Sequence, residues 1–414
     1  MTYPLLNALR VIESSAFIAA PLAGLTLAQY GADVIRVDMI GGGIDYGRMP
    51  RMPHPRGKGR SLYWTALNKG KRSIAIDLRR PEGRELIQAL ATAPGPEAGV
   101  LLTNIGTPWL AHGVLAERRA DVISCTIEGN SDGSTAVDYT VNSATGYPLV
   151  TGGGSAERPV NHVLPAWDIA CAYQAAFAVM AAVDRRRRTG EGAELRLALS
   201  DMAFTTLSHL GVLAESELLG QERPSIGNHL YGAFGHDFAT LDGGRLMVVA
   251  ISAGQWKSLV ACCGIADGIA AIEREMGLDF GDEAQRFEGR ERIAALVAPW
   301  FAARPQAQAE AELQAARACW GRYNSVGELI SSDPRVSTGN AVFERITTPG
   351  VGEHLAAGAS VRVAGLERSA TTPAALLGAH TDEILHEVLG LDGVAVGKLH
   401  DAGVVAGPDK DPTL

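Results

Sequence analysis

Short runs rich in valine and isoleucine recur through the first half of the chain, each parted from the next by a segment of helical pattern. Residues 9–14, 33–38, 72–78, 99–104 and 121–127 read as strands. Residues 21–30 and 81–93 read as helices, the second opening on Pro81-Glu82 as helix starts often do. Strands that alternate with helices are joined by crossovers and so run parallel. The expected architecture is α/β: a large, doubly wound, Rossmann-like parallel sheet with helices on both faces.

The texture changes near residue 217, where Pro224, Gly227 and Gly232 interrupt the pattern. Beyond them lie a strand at 245–252 and several helices. With 414 residues the chain exceeds the length at which a single core stops growing, so two domains are expected. Residues 1–216 are assigned to a large α/β domain and 217–334 to a smaller α+β domain. Residues 335–414 return to the large one, with a helix at 381–389.

Composition enters mainly through what it excludes. A net charge of −9 argues against a nucleic-acid partner. Residues 15–28 are apolar but too short to span a bilayer and are interrupted by Pro21, no basic leader precedes them, and no other segment approaches a span, so no membrane association is expected. The five cysteines are odd in number and form no CxxC pair, which suits a reducing, cytoplasmic setting. Charge is unevenly spread, however. Between Gly47 and Ile76 stand Arg48, Arg51, Arg56, Lys58, Arg60, Lys69, Lys71 and Arg72 without a single acid. Such a run is either a solvated loop or a site for a small polyanion.

Glycine clusters at 41–43, 152–154 and 243–244 spell neither GxGxxG nor a P-loop. No HExxH and no GxSxG occurs, which sets aside zinc hydrolysis and the usual serine elbow. No metal site is expected. Asp168 stands immediately before a long apolar helix expected to run to about Asp184, where Arg185, Arg186, Arg187 and Arg188 complement the helix dipole. An aspartate there is a favoured N-cap, and it is also kept ionised by the dipole, as a nucleophile must be. Spacing alone leaves both roles open.

Five motifs in order resemble the class III (CaiB/BaiF) CoA-transferases. They are Ala19-Ala20-Pro21, Gly31-Ala32-Asp33-Val34-Ile35-Arg36-Val37, Asn68-Lys69-Gly70-Lys71-Arg72-Ser73 with Pro81-Glu82-Gly83, Thr189-Gly190-Glu191-Gly192, and Gly378-Ala379-His380-Thr381-Asp382-Glu383. The resemblance implies a nucleophilic Asp168. It implies CoA contacts from Asn68, Lys69, Gly70, Lys71, Arg72, Asn104 and Tyr139, and an acyl pocket from Phe17, Ile18, Ala19, Tyr231 and Gly232. The CoA thioester is then substrate, with no permanently bound cofactor, and two chains interlock as a homodimer.

Residues 161–168, 228–235 and 399–408 further resemble the branch of the family in which CoA passes between the two carboxylates of mesaconate. The 228–235 segment is expected to close over the site. Ile18 stands where some members carry Gln, His112 where others carry Arg, and Ala379 where Glu is usual. Val137 before Asp138 departs from the racemase branch. Transfer between separate acids, a nicotinamide-dependent oxidoreductase and a non-catalytic CoA-binding protein are the rival readings.

Overall fold

The computed structural model describes residues 2–54, 57–152 and 157–413. Arg56, Gly153 and Gly154, singled out above, lie outside the described residues, as does the side chain of Lys58. The chain forms two compact units, Met1–Thr145 with Val163–Ala214 and Pro334–Leu414, and Gly146–His162 with Glu215–Asp333.

The first unit is built on a seven-stranded sheet. Its strands are β1 (Arg10–Ser14), β2 (Asp33–Asp38), β3 (Arg72–Ile76), β4 (Val100–Thr103), β5 (Ile123–Glu128), β6 (Ala193–Ala198) and β7 (Val405–Ala406). The order is β7-β3-β2-β1-β4-β5-β6. All neighbours are parallel except β7, which runs antiparallel to β3 through Val405↔Ile76 and Ala406↔Ala75. From β1 the chain winds outward through β2 and β3, then returns to place β4 on the other side of β1. That reversal leaves a crevice beyond the carboxyl ends of β1 and β4, where ligands bind in open α/β sheets.

The expected strands all form, with ends shifted by a residue or two. Residues 81–93 form the helix Pro81–Ala91, and the first helix starts slightly early, at Ala19–Gln29. The last expected helix is Thr381–Leu389. The sheet is buried on both faces, as helix-covered parallel sheets are. Ile12, Ile35, Ile74, Ile76 and Leu101 meet Ile87, Leu90, Ile384 and Leu385 in one core.

The long helix differs from expectation at both ends. It spans Ala166–Thr189, so Asp168 is its third residue rather than its N-cap. At the far end the arginines belong to the helix, which stops at Gly190 in the left-handed conformation (φ 75°), open to glycine without a Cβ clash. Arg186 is buried and donates to the carbonyls of Gly99 and Asp121, Arg187 pairs with Glu97 at 2.8 Å and Arg188 with Asp184 at 2.8 Å. By length and composition this helix is apolar enough to cross a membrane. Cys171, Ala172, Ala175, Val179 and Val183 bury one face of it within the unit.

In the second unit a three-stranded antiparallel sheet orders Cys319–Arg322, Arg245–Ala250 and Phe234–Ala239. Phe234, Phe238, Trp256, Phe280, Trp300 and Phe301 form its core. Only the middle strand was legible in advance. Residues 146–162, read as part of the large domain, cluster here, with Ile226 N–H donating to Val150 O at 2.9 Å.

Candidate functional site

A cavity of about 560 Å³ opens in the first unit at the crevice just described. Phe17, Ile18 and Ala19 line it after β1, Asn104 after β4, Gly129 after β5 and Leu199 after β6. Arg48, Tyr63, Glu128, Asp138, Tyr139 and Asp168 supply its polar groups.

Asp168 reaches this cavity because of how its helix starts. The N-cap position is Pro165, which has no side-chain acceptor to offer. Asp138 takes over the role: its Oδ2 accepts from Trp167 N–H at 2.7 Å and from Asp168 N–H at 3.1 Å. Two of the helix's orphan donors are thereby satisfied by a residue thirty positions upstream. Trp167 is pinned as well, its Nε1 donating to Asn142 Oδ1 at 3.0 Å. Freed from capping, the Asp168 carboxylate faces the cavity. Burial, reinforced by the neighbouring Asp138 charge and opposed by Arg48, pushes its pKa up to about 6. It is therefore largely ionised at neutral pH and yet more basic than an ordinary carboxylate, both of which favour nucleophilic attack. Cys171, one turn further on, is fully buried, and burial pushes its thiol up to about 12. It remains a thiol and does not compete.

The opposite wall is held in a strained shape. Phe17 has φ 64°, unusual for a residue with a Cβ. Such strain persists only where the surroundings over-determine it. Asp45 Oδ2 accepts Phe17 N–H at 3.0 Å, and Asn104 brackets Ala16, accepting from its N–H at 2.9 Å and donating to its carbonyl at 2.7 Å. Behind them lies a buried ion network. Arg36 pairs with Glu13 at 2.9 Å, Asp38 at 2.8 Å and Asp45 at 3.6 Å, and donates to Ser15 O at 3.0 Å. The turn feeds directly into the helix Ala19–Gln29, which has no side-chain cap. Its first-turn N–H groups at Ala19 and Ala20 have no intrahelical acceptor, and a helix N-terminus of this kind attracts anions.

The side chains of the basic motif have partners within the fold. Lys71 is buried, its Nζ within 2.8 Å of Glu13, and donates to Pro21 O and Asn68 Oδ1. Arg72 pairs with Asp33, Glu383 and Glu387. Asn68 is buried in the same network, and Lys69 lies buried with its Nζ on Ala357 O at 3.0 Å, beside Gly70 in a narrow cleft away from the cavity lining. These side chains bind other parts of the protein, because charge taken out of water needs a fixed partner. Of the expected site residues the structure gathers Phe17, Ile18, Ala19, Asn104, Tyr139 and Asp168. Tyr231 and Gly232 belong to the second unit. The Tyr231 hydroxyl donates to Glu215, and its ring lies beneath the Arg223 guanidinium at 3.7 Å. Tyr63 and Asp138 were not foreseen, and Arg48 was named only as one member of the basic run. Tyr63 lies within that run without adding to its charge signal, and a cap donated across thirty residues leaves no local trace. Among the described residues no group of His, Cys, Asp and Glu could hold a metal ion.

The profile of CoA-transferase family III matches residues 6–381. The chain belongs to this family. Among its relatives, 2-methylfumaryl-CoA isomerase of Chloroflexus aurantiacus is 48% identical over 407 residues, covering 98% of this chain and 99% of that protein. Succinyl-CoA:mesaconate CoA-transferase of Haloarcula hispanica is 25% identical over 409 residues, covering 95% and 97%. A CaiB/BaiF family protein from Brucella suis superposes with a TM-score of 0.74 over 94% of this chain and 100% of that one, at 24% identity, and shares the fold.

Proposed function

We propose that the chain is an intramolecular CoA-transferase that moves CoA between the two carboxylates of mesaconate, with Asp168 as nucleophile. The observation that carries this reading is the Asp168 carboxylate, free of capping duty and facing the cavity from a helix start. The full-length identity to 2-methylfumaryl-CoA isomerase selects the substrate.

In the proposed reaction an Asp168 oxygen attacks the thioester carbonyl, the C–S bond breaks, and CoA leaves as thiolate from a mixed anhydride. The thiolate attacks the Asp168 carbonyl carbon, releasing the dicarboxylate and leaving CoA on Asp168. The other carboxylate then attacks that thioester, and the two steps run in reverse. No net proton, electron or water is consumed. Each addition develops an oxyanion, for which the Ala19 and Ala20 N–H groups are the proposed donors. Asn104 and Tyr139 are the proposed contacts for the arm of CoA. Phe17 and Ile18 offer an apolar wall to the methyl group. A second copy of the chain is proposed as partner, supported by Tyr173 and Phe177, exposed one turn apart on the long helix. A cytoplasmic location accords with five free cysteines.

Incubation with mesaconyl-CoA, followed by chromatographic separation of the two thioester regioisomers, tests the reading. Interconversion without uptake of labelled free mesaconate is expected, and Asp168→Ala is expected to be inactive while still binding CoA. Rapid appearance of label in the thioester instead identifies transfer between separate acids.

A further inference from the structure

The thioester of a dicarboxylate carries a second, free carboxylate, and the cavity is already acidic. Asp138, Asp168 and Glu128 all line it. Glu128 is neutralised by Arg196 at 2.7 Å, but Asp138 has no ion-pair partner among the described residues, and its Oδ1 is buried without a hydrogen bond. Bringing a further anion beside Asp168 costs Coulomb energy unless a cation meets it. Among the described residues lining the cavity, Arg48 is the one cationic side chain, and among the described residues it makes no ion pair. Its guanidinium carbon lies over two rings, 5.2 Å from the Phe17 centroid and 5.1 Å from the Tyr63 centroid. Stacking of this kind orients the planar fork and leaves its edge N–H groups free. Beside it, the buried Tyr63 hydroxyl has no hydrogen-bond partner among the described residues. Burial, opposed by the Arg48 charge and reinforced by those of Asp168 and Asp45, pushes Tyr63 up to about 12, so the hydroxyl keeps its proton to donate.

We propose that Arg48, stacked between Phe17 and Tyr63, is the specificity-determining residue that pairs with the free carboxylate of a dicarboxylate monothioester. It receives whichever carboxylate is not at Asp168, so one cation serves both regioisomers. Monocarboxylic acyl groups present nothing to it. The inference rests on the proposed transferase reading and deepens it by naming what selects the substrate class.

Two unreactive thioethers separate the questions. S-(3-carboxypropyl)-CoA places a carboxylate three carbons from sulfur, as mesaconyl-CoA does, and S-butyl-CoA replaces it with a methyl group. The wild-type chain is expected to bind the carboxylate-bearing thioether roughly tenfold to a hundredfold more tightly, the worth of a charge-assisted hydrogen-bonded pair. Arg48→Gln is expected to abolish this preference while leaving the affinity for S-butyl-CoA unchanged, which also shows that the variant is folded. Arg48→Lys is expected to retain part of it, since a point charge replaces a fork. Equal binding of the two thioethers by the wild type, or an undiminished preference in Arg48→Gln, overturns the inference. Because neither probe reacts, the outcome is independent of whether mesaconyl-CoA is isomerised.

Discussion

Asp168 and Asp138 form a pair in which one carboxylate does structural work so that the other is free. Asp138 is buried and accepts from two N–H groups at the start of the Asp168 helix. Its charge also helps raise the Asp168 pKa, after burial itself. In the proposed reaction Asp168 attacks as the anion, so kcat/KM is expected to fall as pH drops through about 6, approaching tenfold per unit below it. Asp138→Asn keeps an acceptor oxygen for the two N–H groups but removes the charge. Its acid limb is expected at lower pH than that of the wild type, and a pH–rate profile of both proteins checks this. A limb that stays in place shows that Asp138 acts on Asp168 through geometry alone. The sequence made Asp168 legible as a carboxylate at a helix start, but not as the third residue of that helix. Pro165 and Ala166 carry no side-chain signal of where the helix begins, and the cap comes from a separate segment.

At the scale of elements, β1, β2 and β3 were readable because their Val and Ile content matches a doubly covered sheet. Their polar members were harder to interpret. Glu13, Arg36 and Lys71 sit on or beside these strands, where hydrophobic residues are the norm, and look like functional charges. They hold one another instead. Gly24 in the first helix shows how closely this network is packed, since a Cβ there falls 1.8 Å from Glu13 Oε2. Lys71→Met therefore tests two interpretations of the same motif. Removing one partner of a buried pair leaves the other uncompensated, at a cost of about 3–5 kcal/mol. Here Arg36 still faces Glu13, so the lower end is expected. The predicted outcome is a clear drop in melting temperature with CoA affinity of the folded fraction retained, and partial recovery in the Glu13→Gln, Lys71→Met double variant. Wild-type stability with weakened CoA binding supports the phosphate-binding role instead. The edge strands of the second unit, Phe234–Ala239 and Cys319–Arg322, escaped notice for another reason. The glycines and charged residues in them blur the period-2 pattern on which strand recognition depends.

Over the whole molecule, the cavity depends on chain that is remote in sequence. Residues 334–414 return to the first unit, where β7 pairs with β3 and the Thr381 hydroxyl bridges Ala75 N–H and Ala406 O. The family motif around His380 thus fastens the returning segment, with Ser73 N–H donating to His380 Nδ1. Further along, the buried Asp411 carboxylate accepts from the Tyr46 hydroxyl at 2.7 Å and from Leu377 N–H at 2.8 Å. Tyr46 packs edge-on against Trp64 at 4.8 Å, and the two enclose a small core with Ala374 and Leu377. Arg48 and Tyr63 are near neighbours in sequence of that aromatic pair, so the C-terminal segment braces the cavity wall they form. Asp411→Ala leaves the Tyr46 hydroxyl and the Leu377 N–H buried without their acceptor, each costing about 1–3 kcal/mol. The expected result is a melting temperature lower by several degrees together with a raised KM for the acyl-CoA, because the wall loosens before the unit unfolds. Asp409→Ala is the control: Asp409 is 71% exposed and pairs only loosely with Lys410 at 3.5 Å. It is expected to change neither quantity, since a surface pair of this kind contributes little. A fall in stability in Asp411→Ala with KM unchanged separates the tail from the cavity and confines its role to holding the sheet edge.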